Sequence, residues 1–133
     1  MNKKRTYQSA KDVMTKNVIW VNGMATAKEA VEIMRKEKVD SLIVKKRHPN
    51  DAYGIVNVHD FIKGVIIKDK TSEEVNIFEI MTKPVVSIPF DMDVQYVACL
   101  MTNVGIRMAP VEEKGEYIGM VSLSDLILEN LLF

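Results

Sequence analysis

The sequence has a single cysteine, Cys99, so an internal disulfide is excluded. It has two histidines, His48 and His59, and no Cys/His cluster with metal-ligand spacing, so no metal is expected. Cys99 has no neighbour in sequence that would activate it as a nucleophile. Six glycines are scattered and form no phosphate-cradling loop. No apolar run approaches the roughly 18 residues of a membrane-spanning helix, so membrane insertion is not expected. The start, Met1 to Tyr7, lacks the apolar stretch of a signal peptide, and the simplest expectation is a cytoplasmic protein. Neither sign of charge prevails. The 18 basic and 18 acidic residues cancel to a formal net charge of zero, so no global field draws nucleic acid or anionic lipid. These absences count against an enzyme, and no cofactor is expected.

What is present is a duplication. Apolar residues make up 47% of the 133, enough for one compact domain or two small packed halves. Val13-Met14-Thr15-Lys16-Asn17-Val18 returns 67 residues later as Ile80-Met81-Thr82-Lys83-Pro84-Val85, and the match runs ungapped from Val13–Val44 to Ile80–Val111. Tyr53 to Asp60 returns as Ile118 to Asp125 at an offset of 65. The two-residue difference falls in a loop, where Lys45 to Asp51 is replaced by the shorter Glu112 to Glu116. Two similar units, each with an uncovered apolar face, are expected to pack with pseudo-two-fold symmetry. Clefts at such a junction are natural places for ligands.

Each copy reads as strand, helix, strand, strand, helix, which makes the fold class α/β. In the first copy, Val18–Val21 is β-rich. Thr26 opens a helix, with Glu29 completing a capping box. Leu42–Val44 and Tyr53–Val58 are strands, and Asp60–Ile67 is an apolar helix. In the second copy, Val85–Ile88 is a strand, Asp93 caps a helix, Ala109–Val111 and Tyr117–Val121 are strands, and Asp125–Leu132 is the last helix.

The strongest local signal is Gly119-Met120-Val121-Ser122-Leu123-Ser124-Asp125. Glycine admits close approach of a ligand or of another backbone. Ser122 stands where a strand turns into a helix, and Asp125 lies in its first turn. Hydroxyls and exposed amides there can hold polar ligand atoms. The acceptor-only carboxylate of Asp125 suits paired hydroxyls such as a ribose diol. Ser-x-x-Asp is equally an ordinary capping box, and this segment alone leaves both readings open.

The whole pattern, over nearly all of residues 11–129, resembles a tandem pair of cystathionine-β-synthase-type (CBS) domains, a Bateman module. Its carriers are the paired Met-Thr openings, the helices ending near Met34 and Met101, and the two Gly-hydrophobic-Val-polar-x-x-Asp segments. The resemblance implies two pseudo-symmetric β-α-β-β-α repeats packed through their sheets, with two clefts. The expected division is an N-terminal arm (1–10), repeat one (11–67), a linker (68–77) and repeat two (78–133). It further implies a non-catalytic regulator that binds AMP, ADP, ATP or S-adenosylmethionine and acts on a partner protein, here unknown.

By that resemblance the ribose-binding pattern is Gly-x-x-Thr/Ser-x-x-Asp. Gly119, Ser122 and Asp125 match it, with Ser124 in the same segment. Gly54 and Asp60 match it in repeat one, but Asn57 replaces the Thr or Ser. The basic residue that reaches phosphate falls at Arg107 in repeat two and, by the duplication, at Asp40 in repeat one. An arginine holds phosphate oxygens bidentately, whereas an aspartate repels them. Adenine at the Asp125 cleft is expected against Ile19 and Val39; the weaker Asp60 cleft is expected to use Val86 and Ile106. A rival reading is a protein-interaction scaffold with degenerate clefts.

The first helices of the two copies differ on their outer faces. Lys28, Glu29, Glu32, Arg35 and Lys36 become Gln95, Tyr96, Cys99, Thr102 and Asn103. Loss of charge and gain of tyrosine mark interface centres. A homodimer is therefore expected through the 94–103 helix and the apolar tail Leu128, Leu131, Leu132 and Phe133.

Overall fold

The computed structural model describes residues 7–131 and 133; residues 1–6 of the expected N-terminal arm, and Leu132 of the expected contact tail, lie outside the described residues. The chain forms two compact units, one running from Ile19 to Val85 and the other combining the residues up to Val18 with Val86–Phe133.

In the unit from Ile19 to Val85, strands β1 (Trp20–Val21), β2 (Ser41–Val44) and β3 (Gly54–Asn57) form a sheet in that order. β1 runs parallel to β2, with Trp20 opposite Ile43, and β2 runs antiparallel to β3, with Ser41 opposite Asn57. A parallel pair needs a crossover, and the helix Ala27–Glu37 provides it. This helix begins as its sequence dictates: Glu29 N–H donates to Thr26 Oγ1, and Thr26 N–H donates to Glu29 Oε1, both at 3.1 Å. Ala27, Ala30 and Met34 face the core, while Lys28, Glu29, Glu32, Arg35 and Lys36 are exposed. All four β2 residues are buried, so this strand reads as a continuous apolar run.

The last helix of this unit begins earlier than Asp60. It is an α-helical turn, Val58–Phe61, followed by a π-helical turn, Ile62–Ile66. The β-branched residues Ile62, Val65 and Ile66 and the helix-weakening Gly64 all disfavour a regular α-helix there. A short helix, Ile77–Ile80, lies at the end of the expected linker. Four residues are too few to show helical periodicity in sequence.

The other unit repeats the plan. β4 (Ile88–Pro89), β5 (Met108–Glu113) and β6 (Glu116–Ser122) form a sheet in that order, with β4 parallel to β5 and β5 antiparallel to β6. The crossover helix Val94–Val104 is capped by Asp93, whose Oδ1 accepts Gln95 N–H at 2.8 Å, and ends at Gly105 with φ 72°. Lys114 and Gly115 turn β5 into β6 with φ of 53° and 81°, as a two-residue hairpin requires. This turn replaces the longer loop between β2 and β3. The strands expected at Val18–Val21 and Val85–Ile88 are shorter than their apolar runs. Only two residues of each pair with the neighbouring strand, and Val85 N–H instead donates to Tyr53 O at 2.9 Å. The last helix spans Asp125–Leu128 rather than reaching Leu132.

Each unit joins the sheet of one repeat to the opening segment of the other. In the unit built on β4–β6, a short helix Ala10–Val13 is held by Ala10 N–H to Met92 O (2.9 Å) and Lys11 N–H to Phe90 O (3.0 Å). Thr15 and Met120 then exchange both amide hydrogen bonds at 2.8 Å. In the unit built on β1–β3, Thr82 and Ile55 make the same exchange at 2.9 Å. The duplicated Met-Thr openings are thus sheet-edge pieces. Separate apolar cores follow. One is centred on Leu42, Val56 and Ile77, and the other on Val13, Met101, Val111 and Val121.

Candidate functional site

The segment Gly119–Asp125 carries β6 into the final helix. At its turn, Ser122 N–H donates to Asp125 Oδ2 at 2.9 Å, and Asp125 N–H donates to Ser122 Oγ at 3.1 Å. The capping-box reading of Ser-x-x-Asp is therefore realised. The same box closes in the other unit: Asn57 N–H donates to Asp60 Oδ2 at 2.9 Å, and Asp60 N–H donates to Asn57 Oδ1 at 3.2 Å. The amide oxygen of Asn57 does locally what the serine hydroxyl does, so the departure at this position leaves the turn intact. Burial pushes the Asp60 carboxyl above its ordinary range. The Asn57 amide hydrogen bond and the charges of Lys63 and His59 oppose that shift.

Arg107 stands just before β5. Its carbonyl accepts Leu123 N–H at 3.1 Å, which ties its backbone to the motif turn. Asp40, just before β2, is tied in the same way, its carbonyl accepting Val58 N–H at 3.3 Å. Both side chains are exposed. Gly119, Ser122, Asp125 and Arg107 thus lie on neighbouring strand ends of one unit, and Gly54, Asn57, Asp60 and Asp40 repeat that arrangement in the other. Ser124 is exposed, and its carbonyl accepts the N–H groups of Ile127 and Leu128.

The two glycines answer to backbone rather than to open space. A Cβ on Gly119 would sit 2.5 Å from both Met14 Sδ and Thr15 O; one on Gly54 would sit 3.0 Å from Met81 Sδ and 3.1 Å from Thr82 O. They admit the Met-Thr openings. Met14, Thr15, Met81 and Thr82 were not read from the sequence as neighbours of the motif. The signal was the joint repetition of the Met-Thr pair and the glycine.

Each expected pair of adenine-contacting residues comes from the repeat opposite its motif, as sharing of the clefts between repeats requires. Ile19 and Val39 belong to the unit of Asp60, where they pack partly buried on its core. Val86 and Ile106 belong to the unit of Asp125. Ile106 packs on that unit's core, and Val86 is 37% exposed. Asp51, in the loop between β2 and β3, accepts Lys83 Nζ at 2.6 Å and Arg47 Nε at 3.1 Å. The Lys83 ammonium first, and then the Arg47 amide, hold its carboxyl well below the usual carboxylate range. This pair fastens the opening segment of repeat two to the β2–β3 loop. Among the described residues no grouping of His, Cys, Asp and Glu is placed to hold a metal ion, and no helix is long and apolar enough to cross a membrane.

Two three-stranded sheets, each with a crossover helix and a Gly-x-x-polar-x-x-Asp turn, define a pair of CBS-type repeats. The CBS domain family matches residues 10–66 and 77–131, and the chain belongs to that family. An uncharacterized protein of Methanopyrus kandleri is 30% identical over 120 residues, which are 90% of this chain and 61% of that protein. The chain therefore spans less than two thirds of this relative's length. The hexameric CBS-CP12 protein from bloom-forming cyanobacteria superposes with a TM-score of 0.90 at 35% identity, over 96% of this chain and 74% of that one. The CBS domain pair of protein MJ0100, in complex with 5′-methylthioadenosine and S-adenosyl-L-methionine, superposes with a TM-score of 0.76 at 26% identity, over 90% and 96% of the two chains.

Proposed function

We propose that this chain is a non-catalytic regulatory module that binds an adenosine-containing ligand at the Gly119–Asp125 motif. An adenine nucleotide is the first choice and S-adenosylmethionine the alternative. The observation that supports this reading is the hydrogen bond from Leu123 N–H to the carbonyl of Arg107, which ties the backbone of a permanently charged residue to the turn that carries Ser122 and Asp125. A carboxylate accepts from ribose hydroxyls, and a guanidinium donates to phosphate. The ligand-bound neighbour supports an adenosine-type ligand. Binding acts on a partner only if it favours one arrangement of the repeats or subunits over another. A cytoplasmic location goes with this reading.

A thermal-shift panel of AMP, ADP, ATP, S-adenosylmethionine and NADH tests it, because a ligand that binds only the native state raises the unfolding midpoint. A rise with the adenosine compounds is expected. No rise with any of them overturns the reading and favours the scaffold alternative, for which the closed hydrogen-bond box at each motif speaks.

Self-association belongs to the same proposal. Gln95, Tyr96, Cys99, Thr102 and Asn103 are all exposed on the crossover helix, Tyr96 by 61%. Leu128, Leu131 and Phe133 are exposed by 78%, 87% and 84%. A homodimer through this helix and tail covers them, and the hexameric neighbour supports assembly of such modules.

A further inference from the structure

The two motifs share their geometry and differ in charge. Each is closed by the same reciprocal pair of hydrogen bonds, at 2.9 and 3.1 Å in one unit and 2.9 and 3.2 Å in the other. In each, the residue before the central strand is held by its carbonyl to the motif turn, so the Arg107 and Asp40 side chains leave the backbone from equivalent places. One is a permanent cation that forks onto phosphate oxygens, and the other is an anion that repels them. The helices reduce the contrast without removing it: His59 and Lys63 stand where the other unit has Ser124 and Leu128. Asp40 and Asp60 carry two negative charges against the one positive charge of Lys63, whereas Arg107 and Asp125 cancel. Asn57 keeps its turn closed, so the Asp60 motif is altered in charge and not in shape.

We propose that the Asp60 motif, with Asp40, takes an adenosine-type ligand bearing a cationic 5′ substituent, and that the Asp125 motif, with Arg107, takes an anionic one. This rests on the reading of the motifs as adenosine sites. A sulfonium or ammonium group is attracted by the carboxylates, and a phosphate by the guanidinium.

Calorimetric titration of AMP, adenosine and S-adenosylmethionine into the wild type, Asp40→Arg, Asp40→Asn, Asp60→Ala and Asp125→Ala tests the assignment. The wild type should bind one AMP, lost in Asp125→Ala, and one S-adenosylmethionine, lost in Asp60→Ala. Asp40→Arg should raise AMP to two per chain and weaken S-adenosylmethionine by on the order of tenfold or more, as for loss of a charged partner. Asp40→Asn should weaken S-adenosylmethionine without recruiting a second AMP. The Asp40 side chain is exposed and its backbone carbonyl makes the hydrogen bond, so both variants should keep the wild-type unfolding midpoint. S-adenosylmethionine binding that depends on Asp125, or that ignores Asp40→Arg, overturns the charge assignment and leaves the adenosine reading standing. So do two AMP per wild-type chain, one of them lost in Lys63→Ala. No binding of any of the three compounds overturns both.

Discussion

Ser122 and Asp125 hold each other through both amides: Asp125 Oδ2 accepts Ser122 N–H at 2.9 Å, and Ser122 Oγ accepts Asp125 N–H at 3.1 Å. The box engages one carboxylate oxygen. Among the described residues Asp125 Oδ1 has no protein partner. A turn cap and a ligand acceptor are therefore compatible roles for one residue, and the two readings of Ser-x-x-Asp need not compete.

Removing the carboxylate separates these roles. Asp125→Ala should abolish AMP binding and also lose a cap worth about 0.5–2 kcal/mol. Asp125→Asn should lose AMP binding while its amide oxygen still accepts Ser122 N–H, so its stability should stay near the wild type. Asp60→Ala should leave AMP binding unchanged. Calorimetry and thermal melts on the three variants check this, and AMP binding that survives Asp125→Ala refutes the site.

Arg107 should act on phosphate alone. Arg107→Ala is expected to weaken AMP by about 1.5–3 kcal/mol, the usual cost of losing a charged hydrogen-bonding partner, and to leave adenosine nearly unchanged. Equal losses for AMP and adenosine would assign Arg107 to packing.

The duplication made the elements legible because it presents each one twice. The Thr26–Glu29 box, the Asp93 cap and the inward stripes Ala30–Met34 and Val97–Met101 all stand where local chemistry puts them. What escaped was non-local. The Met-Thr openings pack on the sheet of the other repeat, and nothing within a repeat signals an exchange between repeats. The helices Ala10–Val13 and Ile77–Ile80 are too short for periodicity to reveal. Arg107 was findable only through the family resemblance, and Asp40 only by counting from it along the duplication, because a charged residue before a strand carries no signal of its own.

The glycines test the exchange of openings. Gly119→Ala sets a Cβ 2.5 Å from the Thr15 carbonyl oxygen, which is backbone and cannot swing aside. Gly54→Ala meets its nearest backbone atom, Thr82 O, at 3.1 Å. Overpacking of this kind costs about 1–3 kcal/mol, and Gly119→Ala should lie at the upper end and Gly54→Ala at the lower. Denaturant unfolding measures both. Equal stabilities for the two variants would count against the close approach at Gly119.

Asp51 should leave a signature in acid. Its folded-state pKa is lowered, so its contribution is fully present above the unfolded value, about 3.9, and is lost as pH falls below that towards the folded value. Asp51→Asn should therefore unfold at a lower temperature than the wild type at pH 7. The gap should narrow as pH drops from 4 towards 2. Asp60, with its raised pKa, acts in the opposite sense: its ionisation penalty is present above the folded value and is relieved as pH falls through it. Melts of both proteins at pH 7, 5, 3 and 2 decide the matter, and a gap constant across the series would remove the Lys83 pair as its source.

The crossover helix of repeat two should be a contact between copies. Repeat one keeps five charges on its outer face, and repeat two has none there. Both helices bury the same inward stripe, so the uncharged face is not needed for the core of either unit. Tyr96 is 61% exposed on that face, beside Cys99, which is exposed and free. An exposed tyrosine among uncharged neighbours is the composition of an interface centre. Tyr96→Glu with Cys99→Lys introduces two charges that a dimer would have to bury without partners, while an isolated chain leaves them in water. The double variant should sediment as a folded monomer at concentrations where the wild type is a dimer. It should also keep the wild-type circular dichroism. A wild type that stays monomeric at high concentration, or a double variant that stays fully dimeric, would defeat the assignment of this face.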